Sequence, residues 1–390
     1  MRPALLPPVF VAASLAVAAC GESPPLRATL SVAATLAAGD TAGFARAVEP
    51  RALTFPRDHG PHPEYRHEWW YFTGNLERPG GGAAYGFQLT FFRSALRPGP
   101  TTVASAWATS QAYMGHFALT DVDGGGFRAF ERFERGALGL AGATGGSEEG
   151  VRIWVGDWEA ALVAADGPGG ADGPGSAWRV RAEEDGVAVD LWLTPAKPVV
   201  LQGDRGLSRK GPEPGNASYY YSLTRLRARG TVRGDGREVP VHGTAWLDRE
   251  WGTSALGAGL AGWDWFSLQL DSGAEVMVYR LRREDGGTDR FSAGTYVEPG
   301  GGVIRLGADD FALEETGSWD GPAGVRYPSG WRVRIPGVGL DLRVDPRVRA
   351  QELDLAFRYW EGSVAVEGTG PGGPVRGLGY VELTGYGDPG

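Results

Sequence analysis

Beyond residue 50 the sequence consists of short segments in which apolar and polar residues alternate, separated by glycine-rich turns. Residues 84–93 (AYGFQLTFFR) are the clearest case, with Phe87, Leu89 and Phe91 at every second position. Alternation with a period of two is the pattern of a half-buried β-strand. An amphipathic helix needs a period of about 3.6, which no stretch of this region shows over several turns. The chain therefore predicts an all-β fold, either a barrel or a sandwich.

The other segments extend this pattern along the chain. Further strands are expected at residues 65–74, 113–121, 151–162, 178–182 and 187–193. Two low-complexity segments, 139–150 and 165–176, are rich in glycine and small or acidic residues, and we expect exposed loops there.

The first 20 residues have the composition of an export signal. Arg2 precedes an apolar run over residues 4–19, and the segment ends on Cys20 in the motif Val-Ala-Ala-Cys. The run is shorter than the roughly 20 apolar residues that a spanning helix needs. The motif resembles a bacterial lipobox, in which the cysteine is lipidated and begins the mature chain. We therefore expect an exported lipoprotein, anchored to a membrane through Cys20 with residues 21–50 as a tether; ordinary secretion with a chance cysteine is the alternative.

Charge and cysteine content exclude several classes of function. The formal net charge of −9 at pH 7 argues against nucleic acid or an anionic membrane surface as a partner, so membrane contact is expected through the lipid anchor alone. Cys20 is the sole cysteine, so the exported part has no intramolecular disulfide and no free thiol for catalysis. The partners that remain are a small hydrophobic molecule and a membrane transporter.

The segment EWWYFTG carries aromatic residues on both of its faces. Read as a strand, it places Trp69 and Tyr71 on one face and Glu68 and Trp70 on the other. Large aromatic rings on both faces require cover on both sides, as where the wall of a barrel meets a second domain.

The segment HGTAWLDREWG carries the densest set of reactive side chains. As a strand it places His242, Trp246 and Asp248 on one face, with small or aliphatic residues on the other. Because an aromatic wall around a carboxyl group raises its pKa, this face is a candidate site for acid catalysis. The alternative is a plain strand, in which Glu68, Arg249 and Glu250 form a structural ion pair at the domain junction.

Two segments recur in the same order in each half of the chain. WWYFTGNL in the first half matches WDWFSLQL in the second, and GTAWLDREW has a later echo in GLGYVELTG, which puts Glu382 in the position of Asp248. We therefore expect two related β domains, at residues 51–255 and 256–390.

These motifs, together with FPRDHGPHPEYRHEWWYFTGNL and GLSRKGPEPGNASYYYSLTRL, make the chain similar to the AttH-like family, which includes carotenoid 1,2-hydratases. The similarity runs from about residue 53 to the C-terminus. It implies two lipocalin-like, calycin-type antiparallel β-barrel domains packed with a groove between them. It implies less about the reaction, because relatives include hydratases that add water to an isolated alkene, pericyclases, and exported bacterial proteins known only as secreted hydrolases.

Hydration of an isolated alkene needs a neutral acid to protonate it, shelter for the carbocation, and one water molecule. The resemblance places the hydratase acid in the HGTAWLDREWG block, where Asp248 is the candidate. Further catalytic candidates are Glu250, Glu68 and His242, the last as a group that orients the water or the aspartate. Residues expected to line the groove, most of them as aromatic walls that stabilise a cation, are Trp69, Trp70, Tyr71, Tyr221, Trp246, Trp251, Trp263, Asp264 and Trp265. Aromatic residues of the YYYSLTRL segment, Tyr221 among them, are more often part of barrel packing than of a substrate wall.

Other motifs give little support to rival sites. GAGLAG fits a dinucleotide-binding pattern, but no Rossmann strand precedes it, and the sequence has no GxSxG nucleophile motif. His59, His62 and His67 are interrupted by prolines, which favours loop histidines over metal ligands. We therefore expect neither a metal nor a cofactor.

Two functions are compatible with the sequence. The first is a cofactor-independent hydratase, or a related lyase or isomerase, that is lipid-anchored and acts on an apolar, isoprenoid-like or lipidic molecule. The second is a non-catalytic, lipocalin-like lipoprotein that carries a hydrophobic ligand, for example as accessory to an ABC-type export system. A buried acid separates the two, because a carrier of apolar ligands gains nothing from one. Export fits poorly with carotenoid biosynthesis, which weighs against that substrate more than against the reaction class.

Overall fold

A computed structural model of the chain describes residues 41–82, 84–100, 103–146, 150–164, 176–234, 236–254, 256–257 and 259–387. The expected signal sequence with Cys20, and the tether up to residue 40, lie outside the described residues. Within the two low-complexity segments, residues 147–149 and 165–175 also lie outside the described residues. Within the part of the chain that is described, no helix has the length and apolar character needed to cross a membrane.

The described residues form antiparallel strands and turns, with short 3₁₀ helices at Arg57–His59 and Pro336–Val338, which confirms the predicted all-β class. The strands of the N-terminal sheet are β1 (His67–Glu77), β2 (Ala84–Ala95), β3 (Gln111–Asp121), β4 (Gly126–Arg135), β5 (Ala141–Gly146), β6 (Gly150–Val155), β7 (Trp158–Ala164), β8 (Ser176–Glu184), β9 (Val187–Pro195), β10 (Val200–Leu201), β11 (Leu207–Arg209), β12 (Ala217–Gly234) and β13 (Arg237–Gly252).

The remaining strands build the C-terminal sheet, apart from a separate two-stranded ribbon of β19 and β20. They are β14 (Leu260–Leu270), β15 (Glu275–Arg283), β16 (Ala293–Val297), β17 (Val303–Gly307), β18 (Ala312–Glu315), β19 (Ser318–Asp320), β20 (Arg326–Pro328), β21 (Trp331–Ile335), β22 (Leu340–Pro346), β23 (Glu352–Asp354), β24 (Arg358–Gly370) and β25 (Gly373–Leu383).

The N-terminal sheet forms a nearly closed barrel. Its strand order is β4-β3-β2-β1-β13-β12-β9-β8-β7-β6-β5, and β10 and β11 also pair with β12. The C-terminal sheet has the order β17-β16-β15-β14-β25-β24-β22-β21-β18, with β23 on β24. In both sheets the first strand therefore pairs with the last, β1 with β13 and β14 with β25.

Two sequence predictions about the N-terminal sheet are wrong in detail. Residues 139–150 are predicted as a loop, whereas β5 forms within them and pairs with β6. Its glycines permit close approach, because a Cβ atom on Gly145 would lie 2.6 Å from the Cα of Gly60. Residues 151–162 are predicted as one strand but form the hairpin β6-β7, which turns at Gly156 with a φ of 62°.

Tryptophan side chains fill the interiors of both sheets. Trp70, Trp158 and Trp178 are buried in the core of the N-terminal barrel, and Trp331 and Trp360 in the core of the C-terminal sheet. Each buried tryptophan removes about 150–250 Å² of surface from water, so these rings are a main source of core stability. Because the interiors are packed with side chains, a ligand site is expected between the sheets rather than inside one of them.

Equivalent residues of the two halves make reciprocal hydrogen bonds across the contact between the sheets. Asn75 Nδ2 donates to the carbonyl oxygen of Gly379 at 3.1 Å, and Gln269 Nε2 donates to that of Ala245 at 2.9 Å. In the sequence repeat Asn75 corresponds to Gln269, and Ala245 to Gly379. The two sheets therefore pack around an internal pseudo-twofold axis, as expected of a duplicated unit.

Candidate functional site

The outer face of β1 contributes to a pocket between the two sheets. Side chains alternate along the strand, so Trp70 and Phe72 point into the barrel core while Trp69 and Tyr71 point toward the C-terminal sheet. This confirms that β1 is covered on both faces. The pocket has a volume of about 290 Å³. Aromatic rings form much of its wall, among them Trp69, Tyr71, Tyr220, Trp263, Trp265 and Tyr279.

Asp248 lies in this pocket on the outer face of β13. Its carboxylate accepts hydrogen bonds from Ser222 Oγ at 2.5 Å, from Trp246 Nε1 at 2.6 Å and from the hydroxyl of Tyr220. Burial nonetheless raises the pKa of Asp248 to about 7, because the loss of water outweighs these hydrogen bonds, and the charge of Glu250 adds to the increase. Near neutral pH the group is therefore present in both protonated and ionised forms.

Glu250 lies two residues further along the same face and forms a buried ion pair with Lys210. The Nζ atom of Lys210 is 3.3 Å from the Glu250 carboxylate, which also accepts a hydrogen bond from Ser218. The same Nζ lies 4.3 Å from the ring centroid of Tyr279. Burial lowers the pKa of Lys210, but the charges and hydrogen bonds of Glu250 and Tyr279 together outweigh it, so the net shift is upward. The pair fixes opposite charges at one end of the pocket.

Glu382, on β25 of the C-terminal sheet, brings a third carboxyl group to the pocket. Trp263 Nε1 donates a hydrogen bond to it at 3.2 Å. Burial raises the pKa of Glu382 to about 7; the Trp263 hydrogen bond opposes this increase, and the charges of Asp248 and Glu250 add to it. Glu382 is missing from the site predicted from the sequence, although the internal repeat, which pairs it with Asp248, was a signal that could have found it.

The structure brings several of the predicted residues together at the pocket. They are Asp248, Glu250, Trp69, Tyr71, Trp263 and Trp265. Tyr71 and Trp265 pack edge to face across the contact between the sheets, with ring centroids 5.1 Å apart. Trp246 reaches the site through its hydrogen bond to Asp248, and its ring packs against Trp265 at a centroid distance of 6.3 Å.

Glu68 lies outside the pocket, in a buried ion-pair network. Its carboxylate pairs with the guanidinium groups of Arg93 and Arg249. Burial favours the neutral acid, but the two arginines outweigh it and hold the pKa of Glu68 well below its usual range. The assignment of Glu68 to the groove is therefore wrong, because strand alternation turns it to the face opposite Trp69. The structural ion pair suggested as the alternative therefore forms between Glu68 and Arg249, whereas Glu250 pairs with Lys210.

Three predicted wall residues also face away from the pocket. Trp70 lies in the barrel core, with the guanidinium of Arg249 3.7 Å from its ring centroid. Trp251 and Tyr221 pack in a separate cluster beneath the segment that precedes β1. There the Tyr221 hydroxyl lies 2.6 Å from His59 Nδ1. These assignments are wrong because the residues lie on the inner faces of strands whose outer faces form the pocket.

Two further assignments fail for different reasons. His242 shares a face with Asp248 but lies six residues away along the strand, at a distance of about 20 Å. Its side chain is half exposed, and Nε2 is 3.5 Å from the carboxylate of Glu77. Asp264 lies on the inner face of β14, where Arg280 pairs with its carboxylate at 2.6 Å. Neither His242 nor Asp264 contributes to the pocket.

His116 of β3 and Tyr359 of β24 line the pocket but were not predicted. The Tyr359 hydroxyl lies 2.6 Å from His116 Nδ1 and accepts a hydrogen bond from Gln88 Nε2 at 3.0 Å. Burial lowers the pKa of His116, so its ring is neutral at pH 7. The sequence gives little signal for this pair, because the two residues lie 243 positions apart.

The histidines near the start of the barrel have separate partners. The His62 ring stacks on Trp251 with centroids 3.8 Å apart, and His67 Nδ1 lies 3.1 Å from Ser94 Oγ. His59 contacts the Tyr221 hydroxyl as described above. Among the described residues, no group of three or more His, Cys, Asp or Glu side chains is arranged to hold a metal ion.

The sequence profile of the AttH-like family matches this chain over residues 46–386. The structure is similar to the crystal structure of an AttH-type protein from Nitrosomonas europaea, with a TM-score of 0.75 and 34% sequence identity. That alignment covers 88% of this chain and 100% of the other.

Kievitone hydratase from Fusarium solani subsp. phaseoli is 25% identical over 221 residues. The match covers 53% of this chain and 59% of that protein, so it spans less than two thirds of the relative's length. The crystal structure of kievitone hydratase from Nectria haematococca has a TM-score of 0.63 at 15% identity, over 88% of this chain and 98% of the other. At this identity the likeness is one of fold.

Proposed function

The chain belongs to the AttH-like family, and on this premise we propose that it is a hydratase-like enzyme that adds water to an alkene of an apolar molecule bound between the two sheets. The observation that carries the proposal is the pair of buried carboxyl groups, Asp248 and Glu382, each with a pKa raised to about 7. A carboxylic acid that is neutral near pH 7 can protonate an alkene, whereas an ionised one cannot. The similarity to a kievitone hydratase supports the same class of reaction.

Asp248 is the proposed general acid. Ser222 and Trp246 both donate to its Oδ1 atom, and the hydroxyl of Tyr220 donates to Oδ2. Oδ1 has two donors and Oδ2 has one, so Oδ2 is the oxygen that takes up the acidic proton, and the Tyr220 hydroxyl then turns its own proton away.

The pocket wall supplies shelter for a carbocation. The rings of Trp69, Trp263 and Trp265 present electron-rich faces, each worth roughly 1–2 kcal/mol to a desolvated cation. Glu250 lies at the same end of the pocket, but its carboxylate is paired with Lys210, so the aromatic rings are the main source of this stabilisation. A positively charged intermediate is therefore stabilised relative to the neutral substrate.

The proposed reaction balances without a cofactor. The proton of Asp248 forms a C–H bond with one alkene carbon, and the neighbouring carbon becomes cationic. A water oxygen then forms the C–O bond, and the proton that it releases returns to Asp248 directly or through Glu382. The alkene and water become an alcohol, and the acid is regenerated.

We extend the proposal to location and substrate. The Val-Ala-Ala-Cys motif at the end of the apolar N-terminal run supports export and lipid anchoring through Cys20. An anchored enzyme with an apolar pocket suits an isoprenoid-like or lipidic substrate that partitions into the same membrane.

A non-catalytic carrier of a hydrophobic ligand is the second candidate. The aromatic lining of the pocket favours it, because such walls bind apolar molecules with or without catalysis. The buried carboxyl groups argue against it, since burial of Asp248, Glu250 and Glu382 costs free energy that apolar binding does not recover.

The first test compares the protein lacking residues 1–20 with its Asp248→Asn variant. Each is incubated with a lipid extract of the organism that produces the protein. Bound and free molecules are then analysed by mass spectrometry. The enzyme proposal expects a product heavier by one water with the wild type and none with the variant. His242→Asn, on the same strand but outside the pocket, is the matched control and should act like the wild type. Retention of one unaltered lipid by both proteins would instead support the carrier.

A further inference from the structure

The pocket has a second polar end opposite Asp248. A row of residues that lie directly opposite one another on neighbouring strands is called a rung here. One rung of the N-terminal sheet consists of Asp248, Tyr71, Thr90 and His116. Residues directly opposite each other on neighbouring strands point to the same face, so both ends of this rung face the C-terminal sheet. Three strand spacings separate Asp248 from His116, a distance of roughly 14 Å.

Both ends of this rung are buried, whereas the next rung reaches solvent. Asp248 is 3% exposed and His116 is 1% exposed. The next rung begins at Glu250 and continues through the apolar residues Trp69, Phe92, Met114 and Phe133. Phe133, at its outer end, is 52% exposed. An elongated apolar molecule can therefore lie along the apolar rung with its two ends over Asp248 and His116.

His116 has an unused hydrogen-bond donor. Tyr359 accepts a hydrogen bond from Gln88, which leaves its own hydroxyl proton available for donation to His116 Nδ1, and we assign the bond in this direction. The neutral ring then carries its proton on Nε2. Nε2 is buried without a hydrogen-bond partner in the described structure, and it lies 3.7 Å from the carboxylate of Glu131, too far for a direct hydrogen bond. An unpartnered buried donor in a pocket wall is suited to a polar group of a ligand.

A hydroxyl group matches this arrangement better than a carbonyl group does. A hydroxyl can accept the hydrogen bond from His116 Nε2 and donate its own proton to the Glu131 carboxylate. A carbonyl oxygen can only accept.

We propose that His116, oriented by Tyr359, binds a hydroxyl group at one end of the substrate, so that the substrate is an elongated alcohol with its opposite end beside Asp248. The position of the reacting alkene at that opposite end rests on the proposed function; the binding of the hydroxyl does not. An extended chain advances roughly 1.2 Å per bond, so a span of roughly 14 Å corresponds to about 12 bonds. Farnesol, an isoprenoid alcohol, has about this length and serves as the probe.

The test compares the binding of farnesol to the purified protein with that of the hydrocarbon in which hydrogen replaces its hydroxyl group, followed by tryptophan fluorescence. The hydrocarbon keeps the chain and its alkenes but can neither accept a hydrogen bond from His116 nor donate one to Glu131. The wild type should bind farnesol about tenfold more tightly, as expected for one buried hydrogen-bonded group. His116→Phe should bind the hydrocarbon as the wild type does but lose most of the preference for farnesol. His116→Gln, which restores an amide donor, should recover part of it.

Equal binding of the two probes by the wild type, binding of neither, or an unchanged preference in His116→Phe would each overturn the hydroxyl subsite. Unchanged binding of the hydrocarbon by His116→Phe also verifies that this variant is folded. Asp248→Asn should keep the preference for farnesol. If the wild type discriminates between the probes but hydrates no substrate, the proposed function fails and the subsite stands. If it hydrates a substrate without discriminating, the subsite alone fails.

Discussion

Asp248 and Glu382 face one pocket from equivalent positions in the two sheets. Each lies directly opposite an aromatic residue on the first strand of its sheet, Tyr71 and Trp265, respectively. Because the duplicated sheets pack around a pseudo-twofold axis, the repeat brings two copies of one acidic position into a single site. The ionised form of Asp248 raises the pKa of Glu382. Because the repulsion between two charges is reciprocal, we expect an ionised Glu382 to raise the pKa of Asp248 in turn.

The first prediction concerns the pH dependence of turnover. Since the protonated carboxyl group of Asp248 is the proposed acid and its pKa is about 7, kcat should fall as pH rises through about 7. Asp248→Asn should lower kcat at least about 100-fold, the usual contribution of a general acid. Glu382→Gln removes a nearby negative charge, which should move the fall in kcat to lower pH. Profiles of kcat against pH for the three proteins test this, and an identical profile for Glu382→Gln would refute the coupling.

The second prediction concerns His242, which the sequence suggests as a group that orients water. Its half-exposed side chain contacts Glu77 and lies about 20 Å along the strand from Asp248. His242→Ala should therefore leave kcat and KM unchanged and alter the free energy of unfolding by no more than about 0.5 kcal/mol. Steady-state kinetics and urea unfolding check both values. A large loss of turnover would place His242 back in the mechanism.

The third prediction concerns stability and pH. The pKa values of Asp248 and Glu382 are about 7 in the folded protein, above the values of about 4 in an unfolded chain. Between these values the folded state binds more protons, so the free energy of unfolding should fall as pH rises from about 5 to about 8. The double variant Asp248→Asn and Glu382→Gln should show a flatter dependence. Urea unfolding across this range tests the sign, and a steeper fall in the double variant would contradict it.

Some parts of the site followed from local patterns in the sequence. Alternation along a strand is a local property, so it correctly placed Trp69, Tyr71 and Asp248 on outward faces. The same rule, applied to Glu68 and Trp70, puts them on the opposite face. The sequence could not tell which of the two aromatic faces meets the second sheet, because both require cover.

Other parts depend on contacts between distant segments. Lys210 meets Glu250 only once the strands of the N-terminal sheet have paired, and His116 meets Tyr359 only once the two sheets have packed. No spacing along the chain encodes such pairs. Glu382 differs from them, because the internal repeat of the sequence already aligns it with Asp248.

The last prediction separates stability from catalysis at Glu68. Its buried carboxylate is shared by Arg93 and Arg249, and the network lies on the barrel side of β1, away from the pocket. Glu68→Gln leaves two buried guanidinium groups without a balancing charge, so the free energy of unfolding should fall by about 3–5 kcal/mol. Glu183→Gln, which breaks an exposed ion pair with Arg233, is the matched control and should cost less than about 1 kcal/mol. Urea unfolding and kinetics on the folded fraction decide between the two roles of Glu68. Unchanged stability with lost turnover would make it a catalytic residue, whereas lost stability with unchanged kcat is expected because its carboxylate is occupied by the two arginines and by His62.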